Sequence, residues 1–180
     1  MKKLFALMLA AAMLLTCAAA FAEAQTMGTV AVNGEFEIRG PLPEGYEIEM
    51  QYSSGDMVLA GIANHSDPSA PAFVLAVAFD EMYSDVARLN DLDDEALRAI
   101  EATFAEEDNV DITYTQTAYG TLLMVIRGRT EQSDYVGFYT IYLGYSVEFA
   151  MVANDPAGLT DEQFGMAVQF LSDLEFAPVN

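Results

Sequence analysis

The chain is short of cysteine, histidine, tryptophan and positive charge. It carries 1 Cys, 1 His and no Trp in 180 residues, and 7 Lys and Arg stand against 28 Asp and Glu. One cysteine cannot close an internal bridge, so no disulfide framework is available. A formal charge of -21 leaves no material for the basic patch that neutralises a phosphate backbone, which sets nucleic acid aside as a partner. Beyond the N-terminus no apolar stretch is long and uninterrupted enough to cross a bilayer, for which about 20 residues are needed.

What is present is apolar bulk: 53% of the residues are hydrophobic, enough for one domain with a real core and too many for a disordered acidic tail. The N-terminus divides into Lys2-Lys3, an apolar run from Leu4 to Leu15, and a small-residue stretch through Ala20-Phe21-Ala22 and Ala22-Glu23-Ala24. This is the three-part pattern of a bacterial secretory signal, read as a cleaved leader over 1–24. Cys17 offers a second reading, because Leu14-Leu15-Thr16-Cys17 resembles a lipobox that would anchor the protein by acylation, although Thr16 stands where Gly, Ala or Ser is usual. Removal of 1–24 takes two of the 7 bases and one of the 28 acids, which leaves five arginines, no lysine and no cysteine, and a formal charge of -22. A Schiff-base lysine, a thiol nucleophile and a thiolate metal site are thereby excluded from the mature chain.

The remaining sequence predicts a flexible mature N-terminus over 25–33 and one domain over 34–180. Period-two alternation marks strands around 35–39 and 47–50, and apolar runs mark strands over 57–63 and 72–79. Leu97, Ile100 and Phe104 give one apolar stripe on a helix that Asp91 or Asp93 caps. Strands follow at Val110–Thr115, Thr121–Arg127, Tyr135–Leu143 and Tyr145–Val152, joined by short turns at Tyr119-Gly120 and Gly144, and the Tyr135–Leu143 strand reads as central with both faces covered. Thr160-Asp161-Glu162-Gln163 has the form of a capping box opening a last helix, with Phe164, Ala167, Val168 and Leu171 as its buried stripe. The resulting expectation is an α+β fold: a single-domain antiparallel sheet with amphipathic helices packed on its faces. A closed barrel is the alternative that the strand count allows.

Leu42-Pro43-Glu44-Gly45-Tyr46, Gly144-Tyr145-Ser146-Val147, Leu159-Thr160-Asp161-Glu162-Gln163 and Leu171-Ser172-Asp173-Leu174-Glu175-Phe176, in this order of elements, resemble the PsbP-like α/β/α sandwich family over residues 34–176. The resemblance implies helices on both faces of one sheet and a non-catalytic accessory role, as in the extrinsic subunits and exported lipoproteins of that family. It brings no shared catalytic set to carry over.

The chemistry-bearing residues are few. His65 sits in Asn64-His65-Ser66-Asp67, where neighbours along a loop point apart rather than converge as a triad, and it reads as an exposed loop histidine. Asp91, Asp93 and Asp94 are the candidate metal ligands, since clustered carboxylates suit calcium, but they lack the Gly and distal Glu of an EF-hand and also suit a helix N-terminus. Glu106-Glu107-Asp108 reads as a solvated turn. Arg127 and Arg129 share one strand face and read as ion-pairing groups. The tyrosines over 135–145 offer an aromatic groove for a peptide or glycan, or core packing. The expectation for function is an exported, non-enzymatic binding or accessory module with an acidic surface, without cofactor, acting on a protein or peptide partner. A weak calcium-binding module and a small secreted hydrolase are the alternatives.

Overall fold

The computed structural model describes residues 27–67, 69–105, 110–129, 134–153 and 158–179. The leader and Cys17, the Glu106–Asp108 acids and the Arg129 side chain lie outside what is described. The strands are β1 (Met27–Val32), β2 (Phe36–Pro41), β3 (Tyr46–Ser54), β4 (Met57–Asn64), β5 (Ala72–Phe79), β6 (Val110–Gln116), β7 (Leu122–Arg129), β8 (Asp134–Tyr142), β9 (Tyr145–Val152) and β10 (Glu175–Pro178). Helix α1 (Asp94–Ala105) lies between β5 and β6, and α2 (Asp161–Ser172) between β9 and β10.

These strands make two sheets, a three-stranded one in the order β1-β2-β10 and a seven-stranded one in the order β3-β4-β5-β9-β8-β7-β6, with antiparallel neighbours throughout. The expected α/β/α sandwich is therefore corrected to a two-sheet, mostly β architecture in which two α-helices are a minor part of the described residues. The physical reason lies in β1, β2 and β10. Val30, Val32, Phe36, Ile38 and Phe176 bury their side chains against the inner face of the large sheet, where the sandwich would have placed a helix. Residues 27–32, expected to be flexible, are strand β1. The Asn33-Gly34 turn that follows has φ of 49° and 78°, and Glu35 N donates to Val32 O at 2.8 Å within the three-residue connection between the paired Val32 and Phe36.

The main core lies between the two sheets. Alternate residues of the large sheet, among them Phe73, Leu75, Val125, Phe138, Val147 and Phe149, face the small sheet and α2, whose Ala167, Phe170 and Leu171 share the same cluster. Edge-to-face rings knit the two sheets together, Phe36 lying 5.0 Å from Tyr142 and 5.5 Å from Tyr145. On the outer face, Ile100 and Phe104 of α1 pack with Leu89, Met124, Ile126, Tyr139 and Ile141. Helix α1 thus covers the half of that face built by β6, β7 and β8. The other half, built by β4, β5 and β9, forms a separate cluster of Leu59, Val74, Ala76 and Ala150 flanked by Met57 and Val152, with no residue of a described helix in it.

Candidate functional site

The outer face of β4, β5 and β9 holds a buried acid, Glu148. In β9, alternation sends Tyr145, Val147, Phe149 and Met151 inward and Ser146, Glu148 and Ala150 outward. Glu148 lies between Ala76 of β5 and Tyr139 of β8, its direct partners in register, and is 1% exposed. Neither carboxyl oxygen has a hydrogen-bond partner. Burial disfavours the charged form and pushes the Glu148 carboxyl up to about 7, over a smaller opposing pull from a positive charge. Beside it Tyr139 and Ser146 share a hydrogen bond of 3.1 Å. The Tyr139 hydroxyl is pushed well above its ordinary value, first by burial, against the Ser146 bond, and further by the charges of Tyr83, Glu148 and Asp80.

Around Glu148 the register sets two rows of buried residues on this face. Gly61, Val74, Ala150 and Gly137 lie in one row across β4, β5, β9 and β8, and Leu59, Ala76, Glu148 and Tyr139 in the next. Four of these eight residues are Gly or Ala. Met50 and Tyr52 of β3, opposite Gly61 and Leu59, form an exposed apolar rim.

The sequence-predicted residues lie elsewhere. His65 is not an exposed loop residue: its side chain is 14% exposed and Nε2 lies 3.1 Å from Glu49 Oε1. Glu49 is the extra residue of a bulge where the β3–β4 register shifts between Ile48 and Met50, and the bulge turns it toward His65. Asn64 and Asp67 use their side-chain oxygens on the turn itself, accepting from Ser66 N and Asp67 N, and from Ser69 N and Oγ. Asp91 accepts from Arg88 N at 3.0 Å, Asp93 caps α1 by accepting from Ala96 N at 2.9 Å, and Asp94 is exposed in the first helical turn. Asp91 and Asp93 thus serve two separate backbone amides, and Asp94 lies in the first turn of α1. Among the described residues no group of three or more His, Cys, Asp or Glu is placed to hold a metal ion. Arg127 Nη2 lies 3.6 Å from Asp161 Oδ1, with its guanidinium 5.0 Å from the Phe164 ring centroid. Tyr135, Tyr139, Tyr142 and Tyr145 are all buried, so they build core rather than an open aromatic groove.

Among the described residues, the groups around Glu148 do not complete a reacting set. Ser146 bonds to a tyrosine rather than an imidazole, and the one histidine is committed to Glu49. Sequence reasoning passed over Glu148, although one acid inside an otherwise apolar central strand was the signal available. No helix among the described residues is long and apolar enough to cross a membrane. No family model matches the chain, and no curated protein matches it at a significant level.

Proposed function

We propose that this protein is an exported, non-enzymatic binding module that holds a protein or peptide partner on the β4–β5–β9 half of its large sheet. The observation that carries this reading is Glu148. Folding gains nothing from a buried carboxyl with no partner, and binding sites are where proteins keep such groups at a cost in stability. The acidic composition adds a long-range preference for partners of opposite charge.

The export step rests on the leader pattern of residues 1–24. N-terminal sequencing of the protein recovered outside the cytoplasm should start at Glu23 or Gln25; a lipid-modified Cys17 at the N-terminus would replace secretion by anchoring. The binding surface is tested by photo-crosslinking in the producing cell from a reactive residue at Val152 or Met50, with Thr113 on β6 as control. The expected result is one discrete adduct from the first two positions and none from Thr113. Absence of any adduct from Val152 and Met50, or turnover of ester, peptide or glycoside substrates that is lost in Glu148→Gln, would overturn the reading.

A further inference from the structure

We infer that the corner where β5 ends beside the β8–β9 turn docks a cationic amphipathic segment of a partner protein, Phe79, Met82 and Leu143 taking its apolar side chains and the surrounding carboxylates its lysines or arginines. This surface is separate from the one proposed above. Register puts Ala72 opposite Val152 at one end of the β5–β9 pair and Phe79 opposite Tyr145 at the other, about 24 Å away along the strands.

Backbone bonds tie the corner together. After Phe79 the chain makes a 3-10 turn, Glu81–Tyr83, whose start is capped by Asp80 accepting from Met82 N at 3.0 Å. The β8–β9 turn is held against both flanks of this loop: Asp80 N donates to Gly144 O at 3.0 Å, Leu143 N to Ala87 O at 2.8 Å and Gly144 N to Val86 O at 3.0 Å. Three large apolar side chains stay in contact with water there. Phe79 and Leu143 are each 39% exposed and Met82 is 79% exposed, the highest value among the described large apolar residues.

Leu143 fits its own turn badly. Leu143-Gly144 is a two-residue hairpin loop with φ of 51° and 79°, a conformation that favours Asn, Asp or Gly at its first position. A leucine there strains the backbone and leaves apolar surface in water, so neither local conformation nor solubility accounts for it. Contact with a partner accounts for Leu143 and for the exposure of Phe79 and Met82 beside it.

Charge selects the occupant. Asp80, Glu81 and Asp85 belong to the loop itself, and Asp56 adjoins it, its carbonyl accepting from Phe79 N at 2.9 Å. The base in this loop is Arg88, whose guanidinium lies 6.0 Å from the centroid of the Tyr142 ring. An apolar centre with an acidic rim complements a segment that is apolar on one side and basic around it. The same rim repels an anionic bilayer, and a second copy of this chain would bring the same carboxylates to the contact.

The test uses the full chain and a helical peptide with leucines on one face flanked by lysines, beside one copy with glutamates for the lysines and one with serines for the leucines. Titration calorimetry at pH 7 reads binding, and urea melts read the fold of each variant. The lysine/leucine peptide should bind about tenfold more tightly than either copy. Leu143→Asn should weaken that binding about tenfold while raising the urea midpoint, because Asn suits the turn; a merely structural leucine would not lose binding as the fold gains stability. Met82→Ser should weaken it similarly, and Glu81→Gln combined with Asp85→Asn should flatten its dependence on sodium chloride. Undiminished binding by Leu143→Asn and Met82→Ser, equal binding of the glutamate copy, or no binding by the lysine/leucine peptide overturns the inference. So does association with phosphatidylglycerol vesicles that the same two variants abolish, which would make a bilayer the occupant, and so does a doubled mass in light scattering lost in Leu143→Asn, which would make it a second copy. The crosslinks from Val152 and Met50 should be unchanged in Leu143→Asn, so that failure at this corner and failure of the binding module are told apart.

Discussion

At the scale of single residues, Glu148 should govern how stability depends on pH. Burial raises its carboxyl from 4.5 to about 7 in the folded protein, so the native state binds a proton more tightly than the unfolded chain. Between those values the folded state holds more protons, and stability therefore falls as pH rises. The contribution is intact below about pH 4.5 and gone above about pH 7, a difference of roughly 3 kcal/mol. Urea midpoints at pH 5 and pH 8 should show the loss in the native protein. Glu148→Gln should flatten the profile, and an unchanged slope in that variant would mean that Glu148 is solvated. This residue was only half legible in the sequence. The period-two pattern of Tyr145–Val152 places Glu148 on the face opposite Val147 and Phe149, but local alternation does not reveal that β5 and β8 flank it or that it lacks partners. His65 was misread for a related reason, because the bulge that brings Glu49 to it is a register shift between two strands.

Among the elements, those with local causes were the readable ones. The Thr160 box is formed as its spacing indicates, with Gln163 N donating to Thr160 Oγ1 at 3.2 Å and Thr160 N donating to Gln163 Oε1 at 2.9 Å. Thr160→Ala should cost about 1 kcal/mol in a urea melt, and Thr160→Ser much less. The strands from β4 to β9 follow from apolar runs and alternation. The division into two sheets did not follow, because a strand's periodicity fixes its two faces and says nothing about which strand it pairs with. The hairpin of β1 and β2 was the exception. Val30, Val32, Asn33-Gly34, Phe36 and Ile38 carry an alternating pattern around a turn dipeptide, and only the expectation of a flexible N-terminus hid it. Pairing also decides the sensitivity of Gly128. It lies opposite Tyr135, and a Cβ there would come within 2.5 Å of the ring's Cζ and hydroxyl. Tyr135 is 3% exposed, so its ring has little room to give. Gly128→Ala should destabilise by about 2 kcal/mol through overpacking, read as a lower urea midpoint with an unchanged slope.

For the whole molecule the dominant quantity is charge. With a formal value of -21, most carboxylates repel one another in the folded state and separate on unfolding. Raising sodium chloride from about 0.01 M to 0.1 M shortens the screening length from about 30 Å to about 10 Å, so the melting temperature should rise. That background decides how calcium must be tested, since any divalent ion screens an acidic surface. At equal ionic strength, calcium and magnesium should give the same melting temperature, because Asp91 and Asp93 already accept from backbone amides and Asp94 stands free in a helical turn. A dedicated site present at 100 times its Kd would add about 2.7 kcal/mol beyond screening. An increment of that kind, seen with calcium alone and lost in Asp94→Asn, would return these three carboxylates to the role of ligands. Equal curves for the two ions place them among the groups that open helix α1.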